Sequence, residues 1–173
     1  PDSAAASIGS QLSVWNAIPG DDQHTYWLAA SEGYCALFLM DETAKTGKLV
    51  QSWKGVWGKT PWAPARPMPV WLPDKKRLCL PMKNHCWDVY ELTNPTTPTE
   101  KKFTIYTGAD SAWVIVLPDG RYAGTPGCET LLYAANGENG HHGVQAWVPW
   151  RNRPAEVLEA IGGNTDDIAA LRA

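Results

Sequence analysis

Several features that mark common protein classes are missing from this 173-residue sequence. No apolar run reaches the roughly 18 residues that a membrane-spanning helix needs. Fifteen Lys and Arg face eighteen Asp and Glu without long runs of either sign, so no surface for nucleic acid or anionic membrane is indicated. These absences predict a soluble chain with neither nucleic acid nor membrane as a partner. The cellular compartment stays open, because the small polar start "PDSAAASIGS" fits a linker or a mature terminus equally well.

Catalytic signatures are also missing. The sequence has no Gly-rich phosphate loop, no Ser-centred elbow and no strand-borne pair of carboxylates. Cys128 and His142-Gly143 provide the residue types of a Cys-His nucleophile, but they lie in "TPGCETLL" and in the Gly-rich stretch "NGENGHHG", without a catalytic-strand pattern. We therefore predict no catalytic residue, no metal site and no cofactor in this chain.

The sequence is instead rich in tryptophan, with ten Trp against two Phe. Many Trp lie in short apolar stretches that are bounded by Gly, Pro, Asn and Asp, a pattern typical of strands and turns. Tryptophans inside strands are expected to pack in the core. The predicted strands are 12–18, 24–31, 34–41, 48–53, 69–72, 77–81, 85–92, 101–106 and 112–118, and the Trp residues inside strands include Trp27, Trp53, Trp71, Trp87 and Trp113.

Internal similarity suggests a repeating unit. "VWLPDKKRLCLP" (70–81) is similar to "VIVLPDGRYAGTP" (114–126), and "KLVQSWKG" (48–55) is similar to "KKFTIYTG" (101–108). The offsets are about 45 to 53 residues, a spacing that with four strands per unit is typical of propeller blades. "ALFLMDETAKTGKLVQSWKG" resembles a degenerate WD-repeat blade, with Met40-Asp41 where Trp-Asp is expected.

The C-terminal part resembles the tail of bacterial WD-repeat proteins that often continue into a caspase-like peptidase domain, through "LPDGRY" (117–122) and Asn152-Arg153-Pro154. The resemblance implies an all-β fold, a partial WD-like β-propeller of two to three four-stranded antiparallel blades with two short C-terminal helices. The predicted organisation is a flexible segment 1–11, blades 12–126, and a C-terminal loop and helical tail 127–173. Any peptidase domain would lie elsewhere in the parent protein.

Two sites follow as predictions. The Pro-rich insertion "KGVWGKTPWAPARP" (54–67) carries Trp57, Trp62 and Arg66, residue types enriched at binding hot spots, and it is predicted to contact a protein partner or to cover an open edge between blades. Cys79 and Cys86 flank a tight turn that would allow a disulfide if the loop has two residues; two buried thiols are the alternative.

The predicted function is a non-catalytic protein-interaction or scaffold module. A carbohydrate-binding or carbohydrate-processing domain that uses exposed Trp is the alternative. An incomplete propeller leaves strand edges unpaired, so we expect the chain to form a homodimer, to pair with another chain that completes the propeller, or to be poorly soluble.

Overall fold

The computed structural model describes residues 14–19, 24–31, 33–41, 43–56, 69–72, 76–82, 86–92, 99–128, 130–132 and 151–173. These residues are mostly antiparallel β-structure, with two short helices in the C-terminal part. They separate into two compact units. The first unit takes the described residues up to 83 and those from 91 to 100, and the second takes those from 86 to 90 and from 101 onward. Of the later residues, the described ones that belong to the first unit are 91, 92, 99 and 100.

The described residues of the first unit include six strands. They are β1 (Val14–Pro19), β2 (His24–Ser31), β3 (Gly33–Asp41), β4 (Thr46–Val56), β5 (Val70–Leu72) and β6 (Arg77–Met82). Strands β1 to β4 pair antiparallel in chain order, β5 pairs with β6, and β4 meets β6 at Val56 and Met82. Leu28 and Leu37 are register partners and both are buried, because apolar residues on neighbouring strands share one face.

The turn between β3 and β4 is held by Asp41. Its Oδ1 accepts hydrogen bonds from the amides of Thr43 (2.9 Å) and Ala44 (2.8 Å). Lys45, at the end of this turn, has a positive φ of 53°. Asp side chains often cap turns in this way, so this short polar segment turns the chain directly from β3 into β4.

The described residues of the second unit include four strands and two named helices. They are β7 (Cys86–Glu91, whose last residue Glu91 belongs to the first unit), β8 (Lys101–Thr107), β9 (Trp113–Val116), β10 (Tyr122–Gly124), α1 (Pro154–Ala160) and α2 (Thr165–Arg172). The strands pair antiparallel in chain order. Residues 130–132, which follow β10, are helical. Buried Val114, Tyr122, Cys128 and Leu132 form a core cluster on one side of this sheet.

The helices begin where the sequence predicts. Pro154 occupies the first turn of α1, a position that does not need its missing amide. Asn164 caps α2 by accepting a hydrogen bond from the Asp166 amide at 2.7 Å, and two acidic residues lie in the first turn of α2. Asn152 forms a parallel bridge to Tyr122, which places the start of α1 beside the outer edge of β10.

One part of the sheet differs from the predicted division into blades. Because 101–108 repeats 48–55, a strand that ends in an aromatic residue and Gly and closes the repeating unit, we expected the next blade to begin with the strand 112–118. Instead, β8 and β9 are hydrogen-bonded neighbours, with Thr104 opposite Val116 and Thr107 opposite Trp113. The tight turn at residues 108–112, in which the amide of Gly108 bonds to the Ala112 carbonyl at 2.9 Å, brings the two strands together. Strand β10 is not among the nine predicted strands.

Candidate functional site

The predicted partner-binding residues Trp57, Trp62 and Arg66 lie outside the described residues, and their role stays a prediction. Strand β5 follows their segment in the chain. Val70 and Leu72 are 44% and 39% exposed, which is unusual for apolar strand residues. We call Val70 and Leu72 the β5 surface.

One of the two register neighbours of the β5 surface on β6 is charged. Val70 lies opposite Cys79, and Leu72 lies opposite Arg77. Arg77 in turn forms an ion pair with Glu91 at 3.9 Å. The β5 surface is thus an exposed apolar pair beside a guanidinium, and Arg is enriched where proteins contact one another.

Cys79 and Cys86, the predicted disulfide partners, are free thiols in the structure and both are partly buried. Burial raises the pKa of the Cys79 thiol, and the nearby Arg77 offsets part of that increase. The alternative from the sequence was two buried thiols, whereas both side chains are only partly buried. Whether the pair forms a disulfide under oxidising conditions remains a prediction.

A row of polar side chains crosses β7 and β8 in the second unit. The register places Cys86 opposite Tyr106 and Asp88 opposite Thr104. The Thr104 hydroxyl donates a hydrogen bond to Asp88 Oδ1 at 2.6 Å, and Lys101 Nζ lies 3.3 Å from the same oxygen. Asp88 and Thr104 are buried. We call these five residues the β7–β8 polar row.

The electrostatics of the polar row oppose nucleophilic chemistry. Burial raises the pKa of the Cys86 thiol to about 11, with a further increase from Asp88 and a decrease from Lys101. The pKa of Tyr106 is also raised, first by burial and then by Cys86 and Asp88. A thiol needs a lowered pKa to act as a nucleophile near neutrality. The Asp88 carboxylate is already engaged by Thr104 and Lys101, so the row joins two strands and supplies no activated group.

Cys128, which has the residue type of a nucleophile, is a core residue. Its exposure is 2%, and it belongs to the core cluster with Val114, Tyr122 and Leu132. Its proposed partner pair His142-Gly143 lies outside the described residues. A thiol enclosed by apolar side chains behaves as a small hydrophobic residue.

The burial of the strand tryptophans differs from the prediction. Trp53 is buried at 7% exposure, as expected, whereas Trp113 is 41% exposed. Trp113 is the first residue of β9 and lies opposite the exposed Thr107. Its main chain is held by Thr125, whose hydroxyl accepts from the Trp113 amide at 3.1 Å. The expectation that Trp113 packs in the core is wrong, because this residue starts its strand next to an exposed turn.

Within the part of the chain that the structure describes, no group of three or more His, Cys, Asp or Glu side chains is arranged to hold a metal ion. None of the described helices has the length and apolar character that crossing a membrane requires.

Comparison with known proteins returns no match: no protein family, no curated protein and no solved structure is similar to this chain. The WD-like resemblance therefore rests on the residues quoted for it, and function has to be argued from the chain itself.

The β7–β8 polar row was not among the sites predicted from the sequence. A signal for it exists, since "HCWDVYEL" places Asp88 among apolar residues in the middle of a predicted strand. A buried carboxylate requires a hydrogen-bond partner, and a Thr on the neighbouring strand is a natural one. The sequence alone does not identify Thr104, because the pairing depends on the register across an intervening loop.

Proposed function

We propose that this chain is a non-catalytic protein-interaction module that corresponds to the C-terminal blades of a WD-like propeller. The observation that carries the proposal is the β5 surface, where Val70 and Leu72 are exposed on a strand of three residues. It follows the Pro-rich insertion that contains Trp57, Trp62 and Arg66. Two sets of four consecutive antiparallel strands, β1–β4 and β7–β10, support the propeller part, because a blade has four such strands.

The chemistry of the described thiols favours a binding role over catalysis. The Cys86 thiol stays protonated near neutral pH because its pKa is raised to about 11. Cys128 lies in the core cluster. A partner protein or a second chain that completes the propeller would cover the β5 surface.

The test compares two surfaces of similar apolar character. Val70→Ser with Leu72→Ser changes the β5 surface, whereas Leu171→Ser changes an exposed apolar residue of α2, which is 51% exposed. The immobilised full chain is used to capture partners, which are then purified and titrated against each variant. We expect the β5 variant and Trp57→Ala with Trp62→Ala to weaken binding at least tenfold, which corresponds to about 1.4 kcal/mol, while Leu171→Ser binds normally.

Two results would contradict the proposal. One is unchanged affinity in both the β5 and the Trp57/Trp62 variants. The other is a large drop in melting temperature for Trp57→Ala with Trp62→Ala, which would place those indoles in the core. Light scattering of the same samples shows whether the partner is a second copy of the chain.

The second candidate is carbohydrate binding, which the exposed indole of Trp113 favours because aromatic faces stack on sugar rings. A glycan array with the wild-type chain, Trp57→Ala and Trp113→Ala decides between the two. Sugar binding that is lost in either variant would support this candidate, and an array without signal would leave the protein-interaction proposal as the one to pursue.

A further inference from the structure

The turn between β9 and β10 contains an Asp-Gly pair at its tip. The Gly120 amide donates to the Leu117 carbonyl and the Leu117 amide donates to the Arg121 carbonyl, both at 2.9 Å. Gly120 has a φ of 86°, a conformation that glycine adopts without strain. The Asp119 side chain is 52% exposed. The turn is therefore tightly bonded in its backbone while its carboxylate faces solvent.

Asp-Gly is the dipeptide in which an aspartate most easily rearranges, because glycine leaves its amide nitrogen unhindered. The Gly120 nitrogen can attack Cγ of Asp119, forming an N–Cγ bond while the carboxyl oxygen leaves as water with the amide proton. Water then opens the resulting succinimide at the main-chain carbonyl, which gives isoaspartate. The sequence of steps consumes and releases one water, and it needs no oxidant, reductant or other reactant.

Three contacts from one residue oppose that reaction. The Arg121 amide donates to Asp119 Oδ1 at 3.0 Å, Arg121 Nε donates to Oδ2 at 2.8 Å, and Nη2 lies 2.7 Å from Oδ2. They fix Cγ in place and favour the ionised carboxylate, in which neither oxygen is a good leaving group. The pKa of Asp119 is accordingly lowered, first by the hydrogen bond from the Arg121 side chain and then by the one from its amide.

The attacking nitrogen is restrained as well. Because the Gly120 amide is bonded to the Leu117 carbonyl, it has to break that bond and rotate before it can approach Cγ. Both reactants are therefore hydrogen-bonded in the folded chain, the carboxylate to Arg121 and the amide to the Leu117 carbonyl.

We propose that Asp119-Gly120 is a site of spontaneous isoaspartate formation that Arg121 keeps unreacted in the folded chain. The guanidinium acts as a fork whose Nε and Nη2 both contact Oδ2 and so restrain the carboxylate. Isomerisation would add a methylene to the backbone of a turn that joins β9 to β10, next to Tyr122 of the core cluster, and would weaken the hairpin.

The chain offers an internal reference for this proposal. Asp110-Ser111 lies at the tip of the β8–β9 turn, and both residues are exposed and have positive φ, 54° and 61°. Among the described residues, the Asp110 side chain makes no hydrogen bond or ion pair. Its rate of isomerisation should not depend on Arg121.

The experiment incubates the full chain at 37 °C and neutral pH for several weeks. Peptide mapping with electron-transfer fragmentation distinguishes isoaspartate from aspartate at each position. We expect slow conversion of Asp119 in the wild type, conversion several-fold faster in Arg121→Gln, and an intermediate rate in Arg121→Lys, which keeps the charge but loses the fork. The chain denatured in guanidinium gives the unprotected rate.

Two controls keep the result interpretable. Asp119→Glu cannot form the five-membered ring and should show no product at 119. Circular dichroism confirms that the Arg121 variants are folded, which is expected because the Arg121 side chain is 41% exposed. Equal rates in the wild type and a folded Arg121→Gln, or a wild-type rate equal to that of the denatured chain, would overturn the proposal.

Discussion

The hydroxyl of Thr104 donates a 2.6 Å hydrogen bond to the carboxylate of Asp88 from the neighbouring strand, and both side chains are buried. We expect Thr104→Val to lower the free energy of unfolding by about 1–3 kcal/mol, because it leaves a buried acceptor short of one partner. Urea unfolding measures the change. Lys101→Met is the comparison variant, because it removes the other partner of the same oxygen, and we expect a smaller loss since Lys101 is 43% exposed.

A double-mutant cycle isolates this pair. Asp88→Asn with Thr104→Val should be less destabilising than the sum of the two single changes, because the second change removes a partner that is already lost. Strict additivity would mean that Asp88 and Thr104 do not interact in solution.

Gln51 of β4 is predicted to hold the returning segment 91–100 on the first unit. Its Nε2 donates to the Thr99 carbonyl at 3.0 Å, and its Oε1 accepts from the Thr99 amide at 2.7 Å. Gln51→Leu removes both bonds, so hydrogen exchange at the Thr99 amide should become faster and stability should fall by about 1 kcal/mol. Gln51→Glu keeps only the acceptor and should give an intermediate effect. Unchanged exchange at Thr99 in Gln51→Leu would contradict this role.

The raised pKa of Cys86 predicts how the free energy of unfolding changes at high pH. Its pKa is about 11 in the folded chain against an ordinary 9.0, so between these values the folded state keeps a proton that the unfolded state releases. Stability is therefore fully present below pH 9 and decreases as pH rises toward 11. Cys86→Ala should flatten this part of the profile in urea unfolding at pH 8, 9.5 and 11. Cys35, whose pKa is raised to about 12 mainly by burial, adds a loss of the same sign that remains in the variant.

The raised pKa of Cys86 also predicts that its thiol reacts slowly with alkylating reagents. At pH 8, a pKa near 11 lowers the thiolate fraction on the order of a hundredfold relative to an ordinary thiol. Iodoacetamide should consequently modify Cys86 far more slowly in the folded chain than in the urea-unfolded chain, as read by mass spectrometry. Equal rates in the two states would contradict the burial of this thiol.

Gly124 and Gly127 should respond differently to alanine. A Cβ at Gly124 would lie 2.3 Å from the Trp113 carbonyl oxygen, a backbone atom that cannot move aside easily, whereas a Cβ at Gly127 would meet nothing within 4 Å. Gly127 has a φ of 80°, so Gly127→Ala costs about 1 kcal/mol through backbone strain alone. We expect Gly124→Ala to cost about 3 kcal/mol or more. Thermal melts of the two variants give the comparison, and equal losses would be inconsistent with the close approach of β9 and β10.

Strand positions were largely predictable because apolar stretches alternate with turn residues. The predicted strands 24–31 and 101–106 correspond to β2 and β8 within one residue at each end. The short strand β10 was not predictable, since "YAG" has neither length nor alternation, and it forms only because the Asp119-Gly120 turn folds it back onto β9. Pairing between strands depends on contacts distant in sequence, and for this reason the neighbours β8 and β9 were assigned to different blades.

The candidate site was predictable in part. Cysteines can be recognised in a sequence, but their burial determines their reactivity. The buried position of Cys128 results from packing against Tyr122 and Leu132, which the sequence does not show. The exposure of Val70 and Leu72 was not predictable either, because "PVWL" has the composition of a buried strand.

The return of residues 91–100 to the first unit has a consequence for biosynthesis. A nascent chain emerges from its N-terminal end, so β7 leaves the ribosome before the segment whose Leu92 amide bonds to the Lys76 carbonyl and whose Thr99 bonds to Gln51. The first unit cannot be completed until residue 100 has emerged. Strand β7 cannot pair with β8 before β8 has emerged as well. A truncation after residue 83 would therefore remove part of the first unit as well as all of the second.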